Sequence, residues 1–260
     1  MKLSQAPVLL LATLPSRNTP TAALLQTITR LYMTTESSTA AASKKPKILC
    51  LHGKFQNAAT FSNKIAGARR KLAREYDLHF IDGPIVLEEG YDGATLDEND
   101  LLRSWWVRSS EERHILVREA LEYAIGQTDR HEMDAILGFS QGGTLATALA
   151  LSGAFPNLKC VVTAGAPFVT EALDEAAILA EEYSDCITGN SDSLYEAGLR
   201  IPKFHMAGEN DALVPAESTK LLCEKGGSGT FVMHEQGHLF PTRSGRVQEV
   251  LDFLANHSIK

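Results

Sequence analysis

Short apolar runs alternate with segments of helical periodicity along most of this chain of 260 residues. Each apolar run has the length of one buried strand, and each helical segment repeats its apolar residues every three or four positions. The predicted strands cover 47–53, 78–82, 134–139, 158–165, 202–208 and 230–235, and the clearest predicted helices cover 57–74, 111–127, 144–149, 171–182 and 244–256, with a further helix ending near 225. Strands that alternate with helices are typical of parallel sheets. The pattern therefore predicts an α/β fold whose mostly parallel central sheet has helices on both faces.

Two connections between these predicted elements are long for an α/β domain. Residues 85–104 form a polar stretch with many acidic residues, and their spacing matches no calcium loop, so a solvated surface is favoured. Residues 166–200 show little regularity beyond the acidic helical segment. Long connections often cover or line a site, so we expect a small lid or pocket-wall insertion there.

The first 45 residues differ in composition from the rest of the chain. They hold no acidic residue before Glu36, and they are rich in Ser, Thr and Ala with scattered basic residues. This composition favours an organellar transit peptide and thus a mitochondrial or plastid location, with the cytoplasm as the location otherwise. A secretory signal around 7–14, an alternative start at Met33 and a disordered extension are the alternatives. We predict a leader at 1–45 and one domain at 46–260.

Charge and composition narrow the classes of partner. The formal net charge is −7 and the sequence pI is about 5.6, which argues against nucleic acid or an anionic membrane surface. No apolar stretch reaches the length of about 18 residues that a transmembrane helix needs. The four cysteines show no C-x-x-C spacing, so we expect reduced thiols without a disulfide framework. The oligomeric state is left open.

One stretch carries the strongest sign of chemistry. The strand predicted over 134–139 runs directly into Ser140-Gln141-Gly142-Gly143, and a helical segment of small residues follows at once. A strand, a Gly-x-Ser-x-Gly turn and a helix make up a nucleophile elbow, in which the glycines avoid backbone collisions. Ser140 is therefore the predicted nucleophile, and the N–H of Gln141 at the helix start is a predicted oxyanion donor.

A serine nucleophile needs a base and a group that orients the base. In open α/β sheets such groups lie on loops that leave the carboxyl ends of strands, and two of these loops carry Asp211 and His238. The chain order Ser, Asp, His is the order found in α/β-hydrolases. We predict His238 as the base and Asp211 as the group that orients it.

Other residues compete for these roles. His205 and His234 lie within predicted strands, and His52 is expected to support the loop that begins at Gly53. Glu209 is the rival acid, because glutamate replaces aspartate in some triads. No group of potential ligands has metal-site spacing, so no metal is predicted.

The second oxyanion donor is expected on the loop after the first strand. Gly53 lets the backbone turn there, so the donor is the N–H of Lys54 or of Phe55, and the sequence leaves both open. Phe55, Trp106 and Phe168 come from loops at the same sheet edge, which makes them candidates for an acyl pocket. Ordinary core packing is the alternative interpretation of each aromatic side chain.

Five segments together resemble the FSH serine hydrolases, which include the ovarian-cancer-associated esterase group. The segments are His52-Gly53-x-x-Gln56-Asn57-x-x-x-Phe61, Trp105-Trp106, Gly138-Phe139-Ser140-Gln141-Gly142-Gly143, Gly208-Glu209-x-Asp211 and Gly237-His238-x-x-Pro241. The resemblance covers about 47–254. It implies an α/β-hydrolase fold, ester or thioester hydrolysis of small acyl substrates through an acyl-enzyme intermediate, and no cofactor.

Lys54 departs from this resemblance, because that loop more often holds an aromatic or apolar residue. The departure affects the shape and charge of the acyl-pocket entrance and leaves the chemistry intact. Two alternative functions remain. One is an acyl-protein thioesterase-like, depalmitoylating enzyme, since such enzymes share the elbow segment, and the other is a non-catalytic ligand-binding hydrolase fold. Proteins of the second kind usually lack a triad member, and none is missing here.

Overall fold

A six-stranded parallel sheet forms the centre of the computed structural model, in the strand order β2-β1-β5-β6-β7-β8. These strands are β1 Lys47–Leu51, β2 Asp77–Ile81, β5 Met133–Phe139, β6 Cys160–Ala164, β7 Lys203–Gly208 and β8 Gly229–His234. The structure describes residues 44–88, 101–107, 117–185 and 193–257. Residues 1–43 of the predicted leader, the acidic stretch at 89–100 and the first residues of the helix predicted at 111–127 lie outside the described residues.

Helices cover both faces of the sheet, as the sequence pattern predicts. They are α1 Ala58–Lys64, α2 Ala66–Leu72, α3 Val117–Gly126, α4 Gln141–Leu151, α5 Thr170–Asp185, α6 Leu194–Arg200, α7 Ala216–Lys225 and α8 Ser244–Asn256. Successive side chains of a strand point to opposite faces, so Leu49 and Leu51 of β1 join the core under α3, α4 and α5. Ile48 and Cys50 of β1 join the core under α1, α2 and α8. The two buried faces explain why the inner strands β1, β5 and β6 are mostly apolar.

The structure corrects the predictions for three segments. The stretch predicted as a polar loop contains a short antiparallel pair, β3 Ile85–Val86 with β4 Arg103–Ser104. The irregular part of 166–200 contains helix α6, and the helix predicted over 57–74 divides into α1 and α2 at Ile65. Two-residue strands and seven-residue helices are too short to show a period in the sequence. Their formation depends on contacts with distant segments, such as the bridge between Gln56 and Arg103.

The strand order brings the functional loops together at one edge of the sheet. β2 lies on one side of β1 and β5 lies on the other, so the direction of winding reverses between β1 and β5. Open α/β sheets bind ligands at such a reversal, outside the carboxyl ends of the strands. The loop after β1 carries Lys54, and the turn after β5 carries Ser140. The loops after β7 and β8 carry Asp211 and His238 at the same edge.

Candidate active site

Ser140 occupies a strained turn between β5 and α4. Its backbone has φ 52° and ψ −122°, a conformation that non-glycine residues rarely adopt. The turn is tight enough that a Cβ on Gly138 would collide with the Gly142 carbonyl, and a Cβ on Gly142 would collide with the carbonyls of Leu51 and His52. The two glycines therefore allow the chain to turn sharply and hold the serine at the end of the central strand.

The structure brings Ser140, His238 and Asp211 together in one hydrogen-bonded row. Nε2 of His238 lies 3.0 Å from Oγ of Ser140, and Nδ1 of the same ring lies 2.7 Å from Oδ2 of Asp211. The Asp211 side chain is 1% exposed and the His238 side chain is 16% exposed. The carboxylate is thus enclosed, while the histidine and serine face the opening of the site. These are the three residues that the sequence predicts.

The surroundings hold Asp211 and His238 in this orientation. The other oxygen of Asp211, Oδ1, accepts hydrogen bonds of 2.9 Å from the backbone N–H groups of Leu213 and Val214. The ring of Phe139 packs against the ring of His238 with 4.8 Å between the centroids. Gly165 has φ 55°, and a Cβ at this position would lie 3.1 Å from Nδ1 of His238. The imidazole therefore packs against Phe139 and close to the Gly165 backbone, and both of its nitrogens have hydrogen-bond partners.

The competing residues lie elsewhere or have other partners. His52 is buried, with Nδ1 donating to the Gly53 carbonyl and Nε2 accepting from the Gly83 N–H, both at 2.8 Å. Burial lowers the pKa of His52, which favours this neutral form. His205 and His234 are buried in β7 and β8, as the strand pattern predicts. Glu209 is exposed and makes no hydrogen bond to His238 among the described residues.

The structure removes one of the two candidates for the second oxyanion donor. The N–H of Phe55 donates to the Arg103 carbonyl at 3.0 Å, so it is not available to a substrate. This pairing with β4 is a tertiary contact, which explains why the sequence could not exclude Phe55. Lys54 is left as the candidate on this loop. The other predicted oxyanion donor is the N–H of Gln141. It lies in the first turn of α4, where helix N–H groups have no partner within the helix.

Sequence reasoning missed the part played by the side chain of Gln141. This side chain is buried, and its Oε1 accepts from the Trp105 N–H at 2.9 Å while its Nε2 donates to the Trp106 carbonyl at 2.8 Å. The indole N–H of Trp105 donates in turn to the His52 carbonyl at 2.8 Å. These bonds connect the elbow, the double tryptophan and the loop after β1. A polar residue inside an otherwise small and apolar helix start is the only signal in the sequence.

A cleft of about 490 Å³ opens beside the elbow. It is lined by Lys54, Trp106, Gln141, Phe168, Val169, Thr170 and Glu171. The structure thus brings two of the three aromatic pocket candidates, Trp106 and Phe168, to the cleft. Phe55 is not among the lining residues of this cleft, and its part in an acyl pocket stays a prediction. The beginning of α5 forms one wall, in the region where the sequence predicts a pocket-wall insertion.

Metal ligands, reactive cysteines and membrane-spanning helices would each indicate another class of protein. No group of three or more His, Cys, Asp or Glu side chains is arranged to hold a metal ion in the described part of the chain. Cys50, Cys160 and Cys223 are buried free thiols, and Cys186 lies outside the described residues. Burial raises the pKa of Cys160 to about 12, so this thiol is unreactive at neutral pH. Over the ranges described above, no helix is both long and apolar enough to cross a membrane.

The fold is that of the α/β-hydrolases, and a serine on an elbow after the central strand is typical of the serine hydrolases within this class. A family model described as "Serine hydrolase (FSH1)" matches residues 41–250. The match covers most of the chain, which therefore belongs to the FSH1 serine hydrolase family. The resemblance inferred from the five sequence segments is confirmed.

Two relatives and one solved structure that match this chain each share less than 30% sequence identity with it. The chain is 27% identical over 229 residues to a Schizosaccharomyces pombe protein named dihydrofolate reductase, covering 82% of this chain and 47% of that protein. It is 26% identical over 226 residues to the Bos taurus esterase OVCA2, covering 80% and 95% of the two chains. The chain thus spans about half the length of the fission-yeast relative and nearly all of the bovine one. The crystal structure of Arabidopsis thaliana SOBER1 matches with a TM-score of 0.56 at 17% identity, over 82% of this chain and 99% of that one, which shows a shared fold.

Proposed function

We propose that this serine hydrolase cleaves carboxylic ester or thioester bonds of acyl substrates through a covalent acyl-enzyme. The observation that carries the proposal is the row from Ser140 through His238 to Asp211, with hydrogen bonds of 3.0 and 2.7 Å. A serine hydroxyl becomes a good nucleophile when a neighbouring base removes its proton. The name of the bovine relative, esterase OVCA2, supports an ester as the bond that is cleaved.

In the first half of the reaction, Oγ of Ser140 attacks the carbonyl carbon while its proton passes to Nε2 of His238. The carbonyl electrons move to oxygen, and the N–H groups of Gln141 and Lys54 stabilise the resulting oxyanion. Asp211 accepts the Nδ1–H of the imidazolium and stabilises its positive charge. The bond to the leaving group then breaks, and His238 returns the proton to the departing oxygen or sulfur atom.

In the second half, a water molecule takes the place of the leaving group. His238 accepts a proton from this water as its oxygen attacks the acyl carbon, and the same donors stabilise the second oxyanion. Collapse breaks the bond to Oγ, and Ser140 recovers a proton from His238 as the carboxylic acid is released. The cleft beside Trp106 and Phe168 receives the acyl group in this scheme, because both residues line the same cleft as Gln141.

The first experiment is hydrolysis of p-nitrophenyl esters of increasing acyl length by the wild type and by Ser140→Ala. We expect turnover that peaks at one chain length and falls by about 10⁴-fold or more in the variant. Ser184→Ala is the matched control, because the Ser184 hydroxyl donates to the Ala180 carbonyl within its own helix, α5. Labelling by a fluorophosphonate should likewise disappear in Ser140→Ala and persist in the control.

Equal turnover by Ser140→Ala and the wild type would exclude Ser140 as the nucleophile. A wild-type protein that neither hydrolyses any ester or thioester nor reacts with the fluorophosphonate would instead favour a ligand-binding role. Comparing each acyl chain as an oxygen ester and as a thioester decides which bond is preferred. An acylated peptide in the same series tests the thioesterase-like alternative.

A further inference from the structure

Lys54 combines two features that bear on the choice of substrate. Its backbone N–H is the remaining donor candidate on the loop after β1, and its side chain lines the cleft beside Trp106. The side chain is exposed, and Nζ lies 4.9 Å from the centroid of the Phe55 ring. A cation over an aromatic ring is held in position by the negative face of that ring. A residue with an ammonium group therefore lines the cleft, and the same residue carries the candidate oxyanion donor.

Among the described residues that line the cleft, the other charged one is Glu171. Glu171 lies in the first turn of the 16-residue helix α5, where the helix dipole and the unpaired N–H groups offset a negative charge. Among the described residues, no ion pair joins Lys54 to Glu171 or to any other carboxylate. The Lys54 charge is thus not neutralised within the described part of the cleft.

The remaining walls of the cleft suit the hydrocarbon part of an acyl chain. Trp106, Phe168 and Val169 supply apolar surface. The chain as a whole has a net charge of −7, so its overall electrostatic field repels anions. A cation at the cleft has the opposite sign and attracts them locally. An apolar wall beside a cation that forms no ion pair with the described residues is complementary to an acyl chain that ends in a negative charge.

We propose that Lys54 is a specificity-determining residue that selects acyl substrates with an anionic group on the acyl chain, such as the half-esters of dicarboxylic acids. The inference rests on the proposed function, since it concerns the acyl group that Ser140 receives. Its chemical basis is the attraction between the Lys54 ammonium and a carboxylate that reaches the cleft while the ester carbonyl lies at Ser140. The apolar part of the chain would lie along Trp106 and Phe168.

The test compares two esters that share a six-carbon acyl chain, monoethyl adipate and ethyl hexanoate. The measured quantity is the ratio of their kcat/KM values, for the wild type and for variants with Lys54→Met and Lys54→Arg. We expect the ratio to fall about fivefold or more in Lys54→Met and to be largely kept in Lys54→Arg. Every variant keeps the backbone N–H at position 54, so the ratio reports the side chain.

Two further variants serve as controls for charge. Lys220→Met removes the same charge from α7, outside the cleft, and should leave the ratio unchanged. Glu171→Gln removes the opposing charge from the cleft and should raise the ratio. Raising the salt concentration should lower the ratio for the wild type and have little effect on Lys54→Met.

The outcomes separate this inference from the proposed function. Hydrolysis of ethyl hexanoate with a ratio that does not change in Lys54→Met would overturn the role of Lys54 and leave the serine hydrolase mechanism standing. A wild type that hydrolyses neither ester and is not labelled at Ser140 would overturn both. A ratio that falls equally in Lys54→Met and Lys220→Met would show an effect of net charge, and would also overturn the specific role of Lys54.

Discussion

The side-chain oxygen of Gln141 accepts a 2.9 Å hydrogen bond from the backbone N–H of Trp105. The same side chain donates to the Trp106 carbonyl at 2.8 Å, so both ends of the amide are paired in the interior. The residue after the nucleophile thereby ties the elbow to the segment that carries a wall of the cleft. A buried pair of this kind is costly to break, because the partners left behind cannot bond to water.

Gln141→Met should therefore affect both catalysis and stability. Met has a similar volume and cannot pair with Trp105 or Trp106, so we expect kcat to fall about 10- to 100-fold and the free energy of unfolding to fall by about 1–3 kcal/mol. Steady-state kinetics and urea unfolding measure the two effects. Gln248→Met, on the exposed face of α8, is the control. An unchanged kcat would mean that the backbone of the elbow keeps its geometry without the side chain.

Asp211→Asn should remove most activity while the fold persists. An asparagine at this position cannot accept the Nδ1–H in the same way and favours the wrong tautomer of His238, so we expect kcat to fall by about 10⁴-fold. Glu209→Gln tests the rival acid and should stay within about twofold of the wild type. The comparison is made on the best ester of the chain-length series. Similar losses in both variants would argue against Asp211 as the partner of His238.

Gly142→Ala should disrupt the elbow. The added Cβ meets the carbonyls of Leu51 and His52, which are backbone atoms of a central strand and its exit loop and cannot easily move. We expect a loss of about 3 kcal/mol or more in the free energy of unfolding. Gly245→Ala is a matched control, because Gly245 is likewise the second residue of a helix and a Cβ there has no neighbour within 4 Å. Equal stability of the two variants in urea unfolding would contradict the tight packing of the turn.

Acid should destabilise the protein through its buried histidines. Burial, together with the positive charge of Lys203, lowers the pKa of His205 from 6.5 to about 3. Between these two values the unfolded chain binds a proton that the folded protein does not, so the free energy of unfolding should decrease as the pH falls from about 6.5 towards 3. The decrease approaches about 1.4 kcal/mol for each pH unit below the unfolded value.

Urea unfolding of His205→Phe at several pH values checks this prediction. The variant should lose less stability than the wild type between pH 6.5 and 4, whatever its stability at neutral pH. Burial also lowers the pKa of His52 and of His234, so part of the acid sensitivity should persist. His131→Phe, at an exposed position, is the control variant. A slope for His205→Phe equal to that of the wild type would contradict a neutral, buried His205.

The sequence predicts correctly the elements that depend on neighbouring residues in the chain, and it misses those that depend on contacts between distant segments. The six strands of the main sheet and most of the long helices appear where the pattern predicts them, because the inner strands bury apolar runs and the helices bury apolar stripes. The elbow is also local, since its glycines and Ser140 are neighbours in the chain. Helix α6 and the pair β3–β4 depend on distant partners, and the pattern of the chain does not reveal them.

The same distinction between local patterns and distant contacts applies to the candidate site. Residue types and their order along the chain are enough to nominate Ser140, Asp211 and His238, because a parallel sheet brings the carboxyl ends of its strands to one edge. Their catalytic roles remain predictions for the experiments above. Phe55 shows the limit of this reasoning, because its N–H is taken by the carbonyl of Arg103, a distant residue that no local pattern connects to it.

The sequence by itself determined the fold class, the family and the residues nominated for the chemistry, since apolar periodicity and short motifs are local properties of a chain. The tertiary structure alone decided three further points. These are the choice of Lys54 over Phe55 as donor candidate, the side-chain bonds of Gln141, and the presence of Lys54 rather than Phe55 in the cleft. Each of them depends on which backbone groups and side chains meet across the fold, and chain spacing does not determine those distances.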